Sequence, residues 1–302
     1  MDSLFTDIIL MNKLVCPICK NKKSQQEINT PRLKVFQCSS CKISFVPKNT
    51  MIDKPDKDYF DQYSEQKYIS YYKSFRMKIF KQNWKIIKHL IPRGNAVDLG
   101  ASYGWFIQCA PKSWSVIGIE RSKKVSAEAR AKGIPVLTGD ENLLKKKRSQ
   151  YDLITLHNVF EHLPNPLLSL RIFNKALKPR GLLVIAIPNK DGLINRLSRL
   201  ASRFKIYSPI YTLFQAGSPS PHFFYYNTKA IESLLGLEGF KIKLLKNQAV
   251  IDLENFDKRL SLEKNTNIFI KQLTKLGVFL TYHMGRLLNM SDEIIIYAIK
   301  DK

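Results

Sequence analysis

Four cysteines near the N-terminus have the residue type and the spacing that bind a metal ion. Cys16 and Cys19 form one C-x2-C pair, and Cys38 and Cys41 form a second pair after eighteen intervening residues. Two such pairs can place four thiolates around one tetrahedral Zn²⁺. Two disulfides are the alternative, but a reducing compartment keeps thiols reduced, which favours the metal. Because four ligands close the coordination shell, this zinc is expected to be structural.

A second group of chemically suggestive residues lies in the stretch 96–104, AVDLGASYG. An apolar run ends in Asp98, and Gly100 and Gly104 follow before the apolar run 105–107. The pattern predicts a strand, a tight turn and a helix N-terminus, whose free N–H groups bind a carboxylate or phosphate. Glycine at 100 permits the sharp turn, and Gly104 permits close helix packing or close approach of a ligand. Such a turn is typical of nucleotide-binding sites.

The next predicted strand narrows the class of ligand. The run 115–120, SVIGIE, ends in Glu120, at the place where α/β folds bind ribose hydroxyls. Ser102 stands where the dinucleotide fingerprint requires its second glycine, so a pyrophosphate is disfavoured. A nucleoside with a short zwitterionic tail fits better. The run from Gly100 to Gly104 also matches the G-x-S-x-G elbow of α/β-hydrolases, but a cysteine module and a charged helical stretch precede it instead of the required strands.

Five motifs in order carry a family resemblance. They are DLGASYG at 98–104, IGIE at 117–120, TGDENL at 138–143, YDLITLHNVFEHLPNP at 151–166 and LKPRGLLVIAIPN at 177–189. Together they resemble the class I S-adenosylmethionine-dependent methyltransferases, above all the ubiquinone O-methyltransferase-like group. That group includes zinc-ribbon-bearing methyltransferases of sugar and cell-surface glycan pathways. The resemblance covers roughly 93–302 and implies S-adenosylmethionine as the cofactor.

The resemblance implies an α/β fold with a doubly wound, mostly parallel, seven-stranded Rossmann-like sheet and a small N-terminal zinc ribbon. The expected domains are a ribbon at 1–50, a linker and helix at 51–92 and a methyltransferase domain at 93–302. An insertion at 190–221 lies beside the cleft and could close over it as a lid. Apolar residues at helical spacing predict the helix over 68–90 that leads into the first strand of the sheet.

The resemblance also implies which residues contact the cofactor. Eight are expected to do so: Asp98, Gly100, Ala101, Gly104, Glu120, Asp140, His157 and Asn158. Asp140 lies near the adenine amino group in related enzymes, and its alternative role is to cap the next short helix. His157 and Asn158 follow the fourth strand, at the sheet edge where ligands bind in open α/β folds, and are expected to face the methionine part or the substrate.

Two further positions concern catalysis. In the ubiquinone O-methyltransferases, an acid three residues before a Glu-His pair helps to hold a divalent metal, and Asn158 takes that place before Glu161 and His162 here. Since hard cations need highly charged oxygen ligands, a catalytic metal is disfavoured, and the pair is expected to start a helix and to pack. His222 is expected to take a proton from a substrate hydroxyl. Its alternative is a loop histidine that is hydrogen-bonded to the structure.

Charge and amphipathicity indicate the kind of partner. The 302 residues include 49 Lys plus Arg and 25 Asp plus Glu, a net charge of +24. The positive electrostatic field of such a chain favours nucleotide sugars, anionic lipid head groups or RNA as partners. The alternative is that the charged side chains only keep the surface solvated. The basic amphipathic stretch 192–206 is expected to contact a membrane interface, to act as a lid or to pack as a surface helix. No signal peptide or spanning run is evident, so a cytoplasmic location with peripheral membrane association is expected.

These features favour methylation of a small acceptor that can be anionic, at an oxygen or carbon of a sugar, glycan or lipid intermediate. One alternative is a ribosomal RNA methyltransferase that carries a zinc ribbon, since the net charge suits phosphate contacts. The other is an assembly module that binds the cofactor without catalysis, which the departures at Ser102 and Asn158 allow.

Overall fold

A computed structural model describes most of the chain. The described residues are 14–47, 66–218, 220–248, 252–253, 255–257 and 267–301. The expected linker falls mainly on 48–65, outside the described residues.

Eleven strands form two sheets in this part of the chain. They are β1 (Ser24–Asn29), β2 (Lys34–Cys38), β3 (Ser44–Phe45), β4 (Gly94–Leu99), β5 (Trp114–Glu120), β6 (Val136–Thr138), β7 (Tyr151–His157), β8 (Leu177–Pro188), β9 (Phe224–Tyr225), β10 (Phe240–Gln248) and β11 (Glu293–Lys300). The larger sheet has the order β10-β11-β8-β7-β4-β5-β6. Its pairs from β8 to β6 are parallel, and β11 is antiparallel to both β8 and β10. The predicted seven-stranded, mostly parallel sheet is therefore confirmed.

Eight helices connect these strands among the described residues. They are α1 (Gln66–Leu90), α2 (Trp105–Gln108), α3 (Lys123–Ala131), α4 (Pro166–Ala176), α5 (Leu193–Arg203), α6 (Ser208–Leu213), α7 (Thr228–Leu237) and α8 (Ile268–Leu287). Short 3-10 turns cover Glu141–Leu144 and Phe160–His162. Side chains fix several starts: Asn165 accepts from the backbone N–H of Leu168 ahead of α4, where proline fills the first turn.

Both faces of the central sheet are buried because successive strand residues point to opposite sides. On β8, Leu182, Val184 and Ala186 pack in the cluster that contains Trp84 and Ile87 of α1. The alternate β8 residues join the opposite cluster with α4 and α7, and these are Leu183, Ile185 and Ile187. The near-continuous apolar run of β8 therefore packs into two hydrophobic clusters, one on each face of the sheet.

The N-terminal ribbon is joined to the larger domain through a shared sheet. The smaller sheet has the order β1-β2-β3-β9, and its last strand comes from the segment after the insertion. Ser44 pairs with Tyr225, and Phe45 pairs with Phe224. The insertion also packs on the ribbon, since Ile210 and Phe214 lie in one buried cluster with β2. Residues on both sides of the domain boundary expected near 50 therefore build one structural unit.

A buried ion cluster fixes the same contact. The Glu27 carboxylate on β1 lies 3.1 Å from Nζ of Lys190 and 2.7 Å from an Nη of Arg199 on α5. Ser44 donates its hydroxyl to the other oxygen of Glu27 at 2.5 Å. Burial alone would raise the pKa of Glu27, but the charges of Arg199 and Lys190 lower it below its usual range. Arg199, expected on the polar face of an amphipathic helix, is thus buried against the ribbon.

Candidate functional site

The four ribbon cysteines come together as one cluster. Their sulfur atoms all lie within 4.8 Å of one another, with Cys16 and Cys41 3.7 Å apart and Cys19 and Cys38 3.4 Å apart. These distances are too long for disulfides. Tetrahedral coordination with Zn–S bonds of about 2.3 Å places neighbouring sulfurs roughly 3.8 Å apart, close to the spacing observed. The cluster fits one structural zinc ion bound by all four thiolates.

The turn after β4 has the glycine-dependent backbone that its sequence predicts. Gly100 has a φ of 71°, and an added Cβ would lie 2.3 Å from the Val159 side chain. Gly104 has a φ of 72°, and its Cβ would lie 2.5 Å from Ile134. An L side chain at either position would meet both backbone strain and a steric clash. Ser102 is a turn residue with a φ of 49°, and Ala101 is buried.

Glu120 lies at the carboxyl end of β5, beside this turn. One of its oxygens accepts the backbone N–H of Ser102 at 2.9 Å, and the other accepts that of Ser122 at 2.9 Å. The carboxylate is buried. The two backbone bonds orient the acid at the end of the strand, where the sequence predicts the ribose site.

His157 and Asp98 meet at the carboxyl ends of β7 and β4. Asp98 accepts the Thr155 hydroxyl at 2.6 Å and lies 3.6 Å from Nδ1 of His157. The His157 ring is held between Phe80 of α1 and Phe106 of α2, with both ring centroids 4.8 Å away. This packing fixes the imidazole at the sheet edge, next to Asp98.

Asn158 belongs to a polar network that the sequence interpretation missed. Its side-chain oxygen accepts from Arg76 at 2.8 Å, and its amide donates to Glu293 at 2.8 Å. Gln248 donates to the second oxygen of Glu293 and accepts from Asn83 at 3.2 Å. The sequence contained a signal for this network, because Asn83 falls on the apolar face of α1 and Glu293 begins the apolar strand β11. Both ends of the Asn158 amide are therefore engaged by protein groups.

Asp140 follows β6 and caps the 3-10 turn that begins at Glu141. Its carboxylate accepts the backbone N–H of Asn142 at 2.9 Å. Asp140 therefore caps this turn in the structure, which is the alternative role expected for it. A ligand would have to use the remaining lone pairs of the same carboxylate.

His222, Glu161 and His162 form a buried cluster that the sequence analysis did not assemble. One carboxylate oxygen and one nitrogen of each imidazole lie within 4.8 Å of one another, and the two rings meet edge to face at 4.7 Å. Neither oxygen of Glu161 has a hydrogen-bond partner among the described residues. Glu161 and His162 were expected only to start a helix and pack. The structure instead places both residues beside His222, sixty positions later in the chain.

Hydrogen bonds define the tautomers of both histidines. Nδ1 of His162 lies 2.9 Å from the Pro221 carbonyl, which only accepts, so that nitrogen carries the proton. Nδ1 of His222 lies 3.2 Å from the Tyr225 hydroxyl, which donates its own proton to the Leu213 carbonyl at 2.7 Å. In each ring the other nitrogen, Nε2, is left with a free lone pair. The cluster therefore presents two nitrogen atoms that can accept a proton or bind a metal.

Burial controls the charge of this cluster. It lowers the pKa of His162 to about 4 and that of His222 well below the ordinary value. It raises the pKa of Glu161 to about 8, and the nearby Glu293 charge adds to that rise while Arg76 opposes it. At neutral pH the histidines are uncharged and the carboxyl group is mainly protonated.

Glu161→Gln is expected to weaken the pH dependence of folding stability. The carboxyl pKa is 4.5 when unperturbed and about 8 in the folded protein, so the folded state holds the extra proton between these values. The stabilisation that this proton gives is therefore fully present below pH 4.5 and is lost as pH rises through this window. At pH 7 the free energy of unfolding has fallen by roughly 3 kcal/mol. Glutamine has no proton to lose, so the variant should lack this loss. Urea unfolding at pH 5 and pH 7 measures it, with exposed Glu232→Gln as control; equal slopes for all three proteins would contradict it.

The sequence of this chain is similar to those of known proteins. A model of the methyltransferase domain family matches residues 67–245, which is more than half of the chain. An uncharacterised protein of Methanocaldococcus jannaschii is 26% identical over 139 residues, or 46% of this chain. The match spans 65% of that relative's length, just under two thirds.

Solved structures of methyltransferases have a similar fold. An S-adenosylmethionine-dependent methyltransferase from Thermotoga maritima gives a TM-score of 0.51 at 16% identity, covering 80% of this chain and 98% of its own. One from Archaeoglobus fulgidus gives 0.50 at 16% identity, covering 77% and 99%. The plantazolicin methyltransferase gives 0.50 at 18% identity, covering 81% and 93%. At these identities the likeness shows the fold alone.

Proposed function

The chain belongs to the methyltransferase domain family, and from this premise we propose that it transfers the methyl group of S-adenosylmethionine to a small acceptor. The acceptor atom is an oxygen or carbon of a sugar, glycan or lipid intermediate. The observation that carries this proposal is the buried cluster of Glu161, His162 and His222. Its members Glu161 and His162 follow shortly after β7, the strand that also delivers His157 to the predicted cofactor edge.

The chain's own residues fit the cofactor by their chemistry. The buried Glu120 carboxylate offers acceptors to ribose hydroxyls, and the turn at Gly100 and Gly104 brings backbone close to a ligand. Asp140 is proposed to accept from the adenine amino group, and Asp98, Ala101, His157 and Asn158 to line the remaining wall. When bound, the cofactor supplies an electrophilic methyl group on its sulfonium. The protein then has to align donor and acceptor and exclude water.

His222 is the proposed proton acceptor. A hydroxyl attacks a methyl group more readily as it loses its proton, and a neutral imidazole with a free nitrogen can take that proton. The Nδ1–H of His222 is held by Tyr225, which leaves Nε2 for this step. His162 lies within the same cluster, and its unprotonated nitrogen can accept the proton afterwards. No metal ion is needed for this sequence of proton transfers.

Two features favour a compact acceptor over a large one. Glu161 and His222 are buried, and Phe214 of the insertion packs with Tyr225 beside His222, which favours a small reacting group. The net charge of +24 attracts an anionic molecule, such as one that carries phosphate. The same charge supports ribosomal RNA as the second candidate, because phosphate contacts need many cations. An assembly module without catalysis is the third.

One experiment separates these candidates. The protein is incubated with methyl-labelled S-adenosylmethionine together with RNA, a small-metabolite extract or a lipid extract. We expect label in a small acceptor and none in RNA. Label in RNA alone, with binding that weakens steeply as salt rises, would reject the proposal in favour of the second candidate. Cofactor binding with no transfer to any extract would favour the assembly module.

Glu120→Gln is expected to weaken cofactor binding about tenfold or more. The amide keeps the size of the side chain but replaces one acceptor oxygen with a donor, and a hydrogen bond to a charged group contributes roughly 1.5–3 kcal/mol. Calorimetry with S-adenosylmethionine and its demethylated product measures the change. Exposed Glu232→Gln on α7 is the matched control and should bind like the unmodified protein. Unchanged affinity in Glu120→Gln would remove this residue from the cofactor site.

A further inference from the structure

Helix α8 exposes an apolar stripe along its whole length. Five residues spaced three or four apart share one face, and each is 50% exposed or more: Leu273, Leu276, Leu280, Met284 and Leu287. Such spacing marks the buried face of an ordinary surface helix. No described residue covers this stripe, and the opposite side of α8 packs against the domain. Contiguous exposed apolar surface of this kind marks an interaction site.

Helix α5, which contacts α8, carries a second exposed apolar stripe. A Cβ added at Gly285 of α8 would lie 3.7 Å from the Leu193 side chain, and the Leu193 N–H donates to the Met290 carbonyl at 3.0 Å. The two helices therefore meet where α5 starts and α8 ends. From there α5 exposes Leu197, Leu200 and Phe204, which lie three and four residues apart on one face.

Charge decides what kind of surface fits these helices. Neither α5 nor α8 contains an acidic residue. Their cations include Arg196 and Arg203 on α5 and Lys271 and Arg286 on α8, in a chain of net charge +24. Lys275 is the α8 cation with an ion pair, to Asp257 at 2.6 Å. A second copy docked through this face would place cations opposite cations, because a twofold interface pairs like surfaces.

We propose that α5 and α8 together form a docking face for an anionic lipid bilayer. The apolar stripes enter the boundary between head groups and acyl chains, and the flanking lysines and arginines contact anionic head groups. Among the described residues, no helix is both long and apolar enough to cross a bilayer, so the contact is interfacial. Helix α5 belongs to the insertion that is expected beside the cleft, so docking would bring the proposed site to a membrane-anchored acceptor.

Vesicle sedimentation tests the docking face without any methyl transfer, so its outcome is independent of the proposed function. The full chain is mixed with vesicles of phosphatidylcholine alone or of phosphatidylcholine with phosphatidylglycerol. We expect binding only to the anionic vesicles, and weaker binding as salt rises. The double variant Leu276→Glu with Leu280→Glu should bind at least tenfold more weakly, since it places charge in both the apolar stripe and the anionic interface.

Leu237→Glu is the matched control, because Leu237 is equally exposed but lies at the end of α7. It should bind vesicles like the unmodified chain, and circular dichroism should show that all variants are folded. Equal vesicle binding by the double variant, or no binding by the unmodified chain, would overturn the proposal. A self-association that the double variant abolishes, with vesicle binding unchanged, would assign the face to a second copy and overturn it as well.

Discussion

Cys38→Ser is expected to release the zinc ion, unfold the ribbon and sharply reduce methyl transfer. Removal of one of four thiolates breaks a closed tetrahedral site, and structural zinc sites contribute roughly 10–16 kcal/mol of binding free energy at neutral pH. The ribbon is too small to keep its sheet without the metal. Metal analysis should fall from about one zinc per chain to far less.

The effect on transfer follows from the shared sheet. Strand β3 pairs with β9, and the His222 backbone lies two residues before β9. Loss of the ribbon would also remove the Glu27 partner of Lys190 and Arg199, and with it the ion pairs that join the insertion to the ribbon. The zinc would thus hold the candidate catalytic histidine in place from a distance, without taking part in the reaction.

Cys109→Ser is the control for this experiment. Cys109 is the fifth cysteine, lies outside the four-sulfur cluster and is half buried after α2. Its variant should keep both zinc and activity. A zinc-free Cys38→Ser protein with full transfer activity would show that the ribbon and the reaction are independent.

Individual strands of the central sheet could be predicted because their signals are local. The run that became β5 ends in Glu120, and the apolar run of β8 needs burial on both faces, whereas the seven-stranded arrangement was implied by the family resemblance of the five motifs. The turn at Gly100 was equally clear, since only glycine takes its backbone conformation beside Val159. In each case residues within a short window determine the local structure.

The cluster of Glu161, His162 and His222 could not be predicted in the same way. Glu161 and His222 are far apart in sequence, and tertiary contacts such as the Phe223 N–H to Glu161 carbonyl bond and the pairing of the two-residue strand β9 with β3 bring them together. A strand of two residues has no periodicity that a pattern can detect. Arg199 shows the same limit: its place in a basic amphipathic stretch gave no sign that a carboxylate on β1 binds it.

His222→Ala is expected to lower the rate of methyl transfer by about 10² or more, since loss of a general base typically costs 10²–10⁴. Cofactor affinity should stay unchanged, because the side chain acts on the acceptor. The transfer rate with saturating cofactor measures the effect. Exposed His89→Ala at the end of α1 is the matched control and should have the unmodified rate.

A second variant distinguishes chemistry from packing at the same position. In His222→Asn the amide N–H can replace Nδ1–H as donor to the Tyr225 hydroxyl, so the local structure is kept while the basic nitrogen is lost. If His222 accepts the proton, both variants lose the reaction and both bind cofactor normally. If His222→Asn keeps the rate that His222→Ala loses, the histidine only positions its neighbours. His162 would then be the remaining imidazole in the cluster able to accept the proton, and His162→Ala should abolish transfer.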